Sequence, residues 1–441
     1  MKQSVKIKYS RIFLLLVSIL LVFVLSSCTE AGSKTVYDKE TLRENVDSAS
    51  SNGSAYVWVY LDKWDFPRFN SSRIREVENV FSQRYYKNIV NTFESAKTTA
   101  STFLDNYYDN IDLGDVTAVT DALINSYVSA VGDKYCDFRT PVQNEDYVSK
   151  MSGNYVGIGA TITKSEDGEI SVVNLEEDSS AKDAGVLVGD VIISVDGKSV
   201  KEVGYSTAKD MLRGDEGSYV TLGILREKTE LEVKVERRKI AERSVIYSIT
   251  DKIGYIKISS FKSNTDDQFK EAIDYMEQNG AVGVIYDLRS NGGGYLSSVE
   301  NMLSYIAPKG MTLVSFSNDY DSDFISNDPH ACKIPSVVLC NGNTASAAEL
   351  FTAGVRDIGA SEGFDVKIVG TKTFGKGIVQ STYKLKDDYT LTLTVAYYNP
   401  PSGENYHGVG ITPDVTVERD ATVDTQLARA LEEIQKLTSK K

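Results

Sequence analysis

The sequence predicts a multi-domain α/β protein, and three observations carry that reading. Residues 72–131 repeat apolar side chains at helical spacing. Residues 155–238 change to short alternating runs that read as strands. Residues 282–351 hold two successive units of apolar strand, turn and helix, the pattern of a sheet covered by helices. At 441 residues the chain has room for two or three domains. Its composition, 41% hydrophobic and 25% charged, excludes a mostly disordered or fibrous chain.

The first 27 residues read as an address. Lys2, Lys6, Lys8 and Arg11 precede an apolar run from Ile12 to Leu25, broken by Ser18. That run is shorter than the ~20 residues a membrane span needs, and it fits the apolar region of a signal peptide. Leu25-Ser26-Ser27-Cys28 follows and resembles a bacterial lipobox, in which the cysteine takes a lipid and becomes the new N-terminus. A plain signal peptide or an uncleaved anchor is the alternative. The lipid reading places the chain outside the cytoplasm, anchored to the membrane of a bacterial cell envelope. Removing residues 1–27 takes away four basic residues and no acid, so the formal charge moves from −14 to −18. A nucleic-acid partner needs a basic footprint and is not expected.

Residues 28–71 are expected to be a tether and N-terminal extension. Residues 29–55 have the polar composition of a flexible linker. Tyr56 to Leu61 alternates β-branched and aromatic residues, which predicts a short strand. Residues 72–152 form the N-terminal helical region. Val77, Val80 and Phe81 share one helical face, as do Phe103, Leu104, Tyr107 and Tyr108. Val116, Val119, Leu123, Ile124, Tyr127, Val128 and Val131 continue the pattern. Such helices pack as a bundle on the rest of the chain or serve as a homodimerisation arm.

Residues 153–239 carry expected strands at 161–163, 170–173, 219–225 and 231–235. A short helix over 180–186 is closed by Gly185, and a second covers 206–213. Asp196-Gly197 marks a hairpin. The run SSAKDAGVLVGDVIISVDGKSV resembles a PDZ domain of the kind attached to bacterial proteases. Gly157, Ile158, Gly159 and Ala160 stand where that family has its carboxylate-binding loop. The resemblance implies that a peptide adds as an extra strand, its C-terminal carboxylate held by loop N–H groups. A plain tight turn is the alternative for these glycines.

Residues 240–420 hold the chemistry. Val282 to Leu288 reads as a buried strand, Arg289 to Gly294 as a glycine turn, and Tyr295 to Ile306 as a helix. Such a turn presents bare N–H groups to a phosphate or an oxyanion. A phosphate loop would end in Gly-Lys-Ser/Thr, but Tyr295-Leu296 stands there. The second unit runs from the strand Ser336–Cys340 through the turn 341–344 into a helix opened by residues 345–351. Ser346 therefore lies at a helix start, where the dipole favours developing negative charge. A serine at that place is ordinarily an N-cap.

A nucleophilic serine needs a base. His330 lies in a loop with Asp319, Asp321, Asp323 and Asp328, and His407 lies in a C-terminal turn; both are weak candidates. A buried lysine can stay neutral and replace histidine. Lys376 sits between Gly375 and Gly377 and leads into an expected strand. Positions 376, 378 and 380 would share a face of it, which sets Gln380 beside Lys376. Lys372 is the alternative base. Cys136, Cys332 and Cys340 allow at most one internal disulfide, with Cys332 and Cys340 the nearest pair. With two histidines and no CxxC, a zinc site built from clustered His and Cys is not expected, and no metal site is assigned. Residues 421–441 are expected to end the chain with a helix from Thr425 to Leu437.

Together LRSNGGG, TASAAE, GTKTFGKGIVQ and YNPPSGENYHGVGITPDV resemble the carboxyl-terminal processing proteases, also called tail-specific proteases. The resemblance covers about residues 97–419. It implies a crotonase/ClpP-like serine protease core with an inserted β-rich PDZ domain and an N-terminal helical segment. It implies Ser346 as nucleophile, Lys376 as general base and Gln380 as its assistant. The oxyanion hole maps to Ala347 with Gly292 or Gly293. No cofactor is implied, and the substrates are proteins with apolar C-termini. Ala348 stands where many members carry a second serine. The stretch 360–365 lengthens the Ser-to-Lys connection and reads as a surface loop insertion. Two rival functions are a silent peptide-binding scaffold and a crotonase-type acyl-CoA enzyme. The intact Ser346, Lys376 and Gln380 speak against the first, and the PDZ segment against the second.

Overall fold

The computed structural model describes residues 37–87, 91–165, 169–176, 179–317 and 321–439. The apolar leader and Cys28 lie outside them. The chain divides into two units. One runs to Gln83 and resumes from Lys87 to Phe138; the other holds Arg84–Tyr86 and everything from Arg139 onward. Among the described residues no helix is long and apolar enough to cross a membrane.

The first unit is helical: α1 (Lys39–Ser48), α2 (Val57–Lys63), α3 (Ser71–Arg84), α4 (Phe93–Asn106) and α5 (Val116–Ala130). Side-chain caps set several starts. Asp38 accepts the Thr41 N–H, Thr92 the Ser95 N–H, and Asp115 those of Thr117 and Ala118. Two expectations are corrected here. The stretch 56–61 is not a strand, because Val57, Tyr60, Leu61 and Trp64 recur at helical spacing and are all buried. The tether is shorter than expected, because α1 buries Leu42 and Val46. The helices expected over 72–131 are present, and Phe81 meets Tyr127 edge-on at 5.3 Å.

The second unit begins with α6 (Pro141–Met151) and passes into a β-rich domain. Its strands are β1 (Asn154–Gly157), β2 (Ala160–Lys164), β3 (Ile170–Leu175), β4 (Val191–Val195), β5 (Lys198–Ser199), β6 (Tyr219–Arg226), β7 (Thr229–Glu236) and β8 (Arg238–Ala241). Its helices are α7 (Ser180–Asp183) and α8 (Val200–Met211). The sheet order is β2-β3-β4-β6-β7, with β5 folded back on β4. Asp196 and Gly197 both have positive φ, 47° and 73°, as a type I′ hairpin requires. β1 pairs antiparallel with β8, Asn154 opposite Ala241, so the entry and exit strands of the domain meet. The helix expected over 206–213 starts earlier, at Val200, and is kinked at Gly204.

The rest is a mixed sheet with helices on both faces. Its strands are β9 (Val245–Thr250), β10 (Ile253–Ile258), β11 (Gly283–Asp287), β14 (Ser336–Cys340), β15 (Val366–Gly370) and β18 (Val415–Thr416), paired in that order. The first pair is antiparallel and the others are parallel. On one face α9 (Thr265–Gln278), α10 (Leu296–Ile306) and α11 (Ala347–Glu362) bury Phe269, Met302 and Phe351 with Tyr286 and Val338. On the other, α12 (Thr425–Thr438) packs Ala430 and Ile434 on Ile285, Val337 and Val369. Gly283 makes room for it, since a Cβ there would stand 2.6 Å from Ile434 Cγ1. A second sheet runs through β16 (Ile378–Lys384), β17 (Thr390–Asn399), β12 (Thr312–Phe316) and β13 (Phe324–Ile325). The stretch 360–365 is not a plain surface loop. Helix α11 continues to Glu362 and Gly363 closes it at φ 74°. No disulfide forms among the described cysteines, Cys136, Cys332 and Cys340.

Candidate active site

Parallel strands β11 and β14 are neighbours, with Asp287 opposite Leu339. The loops leaving their carboxyl ends therefore meet, at the place where open α/β sheets build sites. Several hydrogen bonds fasten them. Thr344 Oγ1 donates to the Leu288 carbonyl at 2.9 Å, the Ser290 N–H to Asn341 Oδ1 at 3.0 Å, and the Ala345 N–H to the Asn291 carbonyl at 3.0 Å. The glycine turn and Ser346 are thus brought side by side.

Asn291 is fully buried and organises the turn. Its Nδ2 donates to the Ile258 carbonyl and its Oδ1 accepts the Gly293 N–H at 2.8 Å. The Gly293 N–H thus meets a side chain of its own turn. Gly292 is exposed and nothing lies within 4 Å of where its Cβ would be. Gly294 and Ala347 border the same cleft as Ser346. As the first residue of α11, Ala347 has an N–H with no carbonyl of its own helix to meet.

Ser346 has φ 58° and ψ −122°, a region that only glycine adopts freely. Such a conformation costs about 1–3 kcal/mol in a non-glycine residue and persists only where its surroundings enforce it. Here the Ser346 N–H donates to Glu349 Oε2 at 2.9 Å. The Ser346 carbonyl accepts the N–H groups of Glu349 and Leu350 at 2.8 and 3.0 Å. The helix-start donor that a capping hydroxyl would serve is therefore met by main chain.

Lys376 arrives on the segment between β15 and β16. The Phe374 N–H donates to the Thr344 carbonyl at 3.0 Å, tying this segment to the serine loop. Gly375 has φ 93°, and a Cβ on it would lie 2.9 Å from the Gly410 nitrogen. The Lys376 N–H donates to Glu349 Oε2 at 2.7 Å, and its carbonyl accepts from the Tyr398 hydroxyl at 2.9 Å. The strand expected over 376–380 starts two residues later, at Ile378. The pairing slips between Val379 and Gln380, where β17 carries the extra residue Val395. Lys376 therefore lies outside the strand that was to give it a common face with 378 and 380. Gln380 borders the cleft with Ser346, and its Nε2 lies 3.4 Å from Thr394 Oγ1.

The cleft measures about 650 Å³. Tyr147, Met151, Tyr295, Leu296, Ile378 and Tyr398 give it an apolar wall; Gln380, Thr382 and Thr392 add polar groups. Lys372, the alternative base, is exposed. His330 lies elsewhere, between the Tyr305 carbonyl at 2.6 Å and Glu277 Oε2 at 3.0 Å. His407 packs edge-on to the Tyr397 ring and does not line the cleft. Reading the sequence missed Glu349. A glutamate three residues after a helix-start serine is a capping-box signal and could have drawn attention to it.

In the β-rich domain the loop Gly157–Ala160 leads into β2. Ile158 is buried, and its carbonyl accepts the Ala181 N–H at 2.9 Å. Gly159 has φ 73°, and a Cβ there would lie 2.3 Å from Ser179 Cβ. Among the described residues β2 pairs only with β3, so its other edge is open. An open edge beside a backbone loop can take an added strand.

Two segments match known family models. Residues 252–417 match peptidase family S41, and residues 156–236 match the PDZ domain. Over 368 residues the chain is 32% identical to a Staphylococcus aureus (strain COL) protein named "Probable CtpA-like serine protease". That match covers 82% of this chain and 68% of the relative. A Staphylococcus haemolyticus (strain JCSC1435) protein of the same name is 35% identical over 320 residues, 72% of this chain and 63% of its own length. A crystal structure titled "Putative S41 protease from Bacteroides fragilis NCTC 9343" shares the fold. It superposes with a TM-score of 0.51 at 17% identity, covering 82% of this chain and 97% of that one.

Proposed function

This chain belongs to peptidase family S41 as a serine protease with a PDZ domain, and we propose that Ser346, Lys376 and Gln380 are its catalytic residues. The observation that carries the assignment is the strained helix-start conformation of Ser346 beside the cleft. In this reading neutral Lys376 takes the Ser346 Oγ proton, and the oxygen attacks a peptide carbonyl. The Ala347 N–H holds the oxyanion, with Gly292 or Gly293 as the second donor. Each such donor is worth about 3–4 kcal/mol. The lysinium protonates the leaving amine. Water then attacks the acyl-enzyme, giving a proton to Lys376, and the lysinium returns that proton to Ser346 Oγ as the acid product leaves. Gln380 orients the lysine. None of these steps calls on a metal or organic cofactor.

The substrate enters through its tail. An apolar C-terminus adds along β2, with its carboxylate on the loop of Gly157, Ile158, Gly159 and Ala160. The leader and Cys28 support a lipid anchor at a bacterial cell envelope. The apolar faces of α3, α4 and α5 are already buried within the single chain, which favours a packing role for these helices over a homodimer arm.

The test is proteolysis by the chain from residue 29 onward, beside Ser346→Ala and Lys376→Ala. The substrate is an unfolded protein ending in small apolar residues. Cleavage by the parent and loss in both variants is the expected result. Cleavage that survives Ser346→Ala overturns the nucleophile. Three inert proteins that still bind the tail would make the chain a silent scaffold.

A further inference from the structure

We propose that Glu349 is the positioning residue that fixes the nucleophile and its base relative to one another. This rests on the assignment of Ser346 and Lys376 above. Glu349 is fully buried and takes four hydrogen bonds. Oε2 accepts the N–H groups of Ser346 at 2.9 Å and Lys376 at 2.7 Å. Oε1 accepts the Gly375 N–H at 2.7 Å and the Thr373 hydroxyl at 2.5 Å.

A carboxylate offers about four lone-pair sites, and here two donors meet each oxygen. Every partner donates. Three of the four are backbone N–H groups, which can only donate. A capping-box glutamate ordinarily reaches back to its own N-cap alone. This one also reaches forward to residues 373–376, on a different loop. Burial makes such bonds stronger than at a surface and leaves them no water to exchange with. The carboxylate thus performs two tasks at once. It helps hold Ser346 in a conformation serine resists, and it sets the backbone from which the Lys376 side chain departs.

Glutamine has the same shape but replaces one oxygen with an NH2 donor. Whichever way the amide turns, two donors lose their acceptor. The active-site backbone shifts, while the PDZ groove and the bulk of the cleft do not. A misplacement of about 1 Å at reacting groups costs roughly a hundredfold in rate. Removal of a buried negative charge beside the lysine loop also disfavours the lysinium, so the base should titrate at lower pH.

The experiment measures kcat, KM and the pH–rate profile of the chain from residue 29 onward and of Glu349→Gln. Rates are normalised to active sites titrated with a serine-directed phosphonate, and folding is checked by thermal melting. The expected result is a kcat lowered about a hundredfold, a KM within about threefold, and an acid limb moved to lower pH. A purely structural role would lower the folded fraction but leave the per-site kcat and the acid limb where they were, and that outcome overturns the proposal. If Glu349→Gln does not accumulate folded, Glu349→Asp is read instead. It keeps the charge and loses reach, so its per-site kcat should fall with the acid limb unmoved. A parental per-site kcat in Glu349→Asp would equally refute the clamp. Ser346→Ala and Lys376→Ala run in parallel, and activity in either would fault the site assignment rather than Glu349.

Discussion

Gly293 and Ser346 lie so close that a Cβ added to the glycine would stand 2.8 Å from the serine Cβ. The same atom would meet the Ala345 carbonyl oxygen at 2.8 Å and the Ala347 nitrogen at 3.0 Å. Two of these three neighbours are backbone and cannot swing away. Gly293 also has φ 100°, which alanine resists. Gly293→Ala should therefore cost about 1–3 kcal/mol of stability and push the serine loop out of place. We expect proteolysis to fall at least about a hundredfold with tail-peptide affinity unchanged. Peptide binding by fluorescence anisotropy, beside a cleavage assay, reads both. Unimpaired cleavage would mean that the turn yields without moving Ser346.

Ser346 itself stores strain at φ 58°, and glycine would not. Ser346→Gly and Ser346→Ala both remove the hydroxyl, and both should be inactive. They should differ in stability. Glycine relieves the backbone but loses more entropy on folding, so the net gain over alanine should be about 1 kcal/mol. Urea denaturation of the two variants measures the difference. Equal stabilities would show that the surrounding bonds, and not an intrinsic preference, set the conformation at no cost.

Much of this site was legible in the sequence because its units are local. The apolar run 336–340 and the helix opening at 345–351 needed only pattern and turn chemistry. The glycines at 292–294 announced a bare backbone turn in the same way. How that turn is held was not legible, since it depends on the buried side chain of Asn291. The reach of Glu349 to residues 373–376 is likewise tertiary. The segment at 56–61 failed for another reason. Its valines and aromatics favour strand by type, while Val57, Tyr60, Leu61 and Trp64 favour helix by spacing. In so short a window both patterns fit, and burial of the 57/60/61/64 face decided it.

The N-terminal helices carry a pH-sensitive group of their own. Glu78 is 1% exposed. Its Oε1 accepts the Val57 N–H at 2.6 Å, and its Oε2 has no partner among the described residues. Burial raises its pKa from 4.5 to about 7, against the pull of the Val57 bond. The folded state therefore keeps a proton that the unfolded chain has already lost. This stabilisation is complete below pH 4.5 and fades as pH rises to about 7, a change of about 3 kcal/mol. Glu78→Gln keeps the acceptor and cannot ionise. Its stability should match the parent in acid and exceed it increasingly from pH 5 to 8. Thermal melts across that range test this, and a pH-independent gap would refute it.

Arg289 fastens the start of the glycine turn to the last helix. Its Nε and Nη2 donate to the two Asp287 oxygens at 2.9 and 2.6 Å, and its Nη1 donates to Asp424 Oδ1 at 2.6 Å. Asp424 is also the cap of α12, accepting the Leu427 N–H at 3.0 Å. Asp287 is 2% exposed, and among the described residues its only other side-chain donor is the Tyr255 hydroxyl at 2.7 Å. Arg289→Ala leaves that carboxylate buried without its cation, a loss of about 3–5 kcal/mol at neutral pH. The bond to Arg289 also holds the Asp424 carboxyl below its usual range. A depressed carboxyl stabilises the fold above its unfolded value near 3.8 and loses that contribution as pH falls through the folded value. The gap between parent and Arg289→Ala should therefore be widest near pH 7 and narrow below about pH 4. Urea melts at the two pH values read it. A gap of equal size at both would mean that Arg289 acts through packing of its stem and not through its charge.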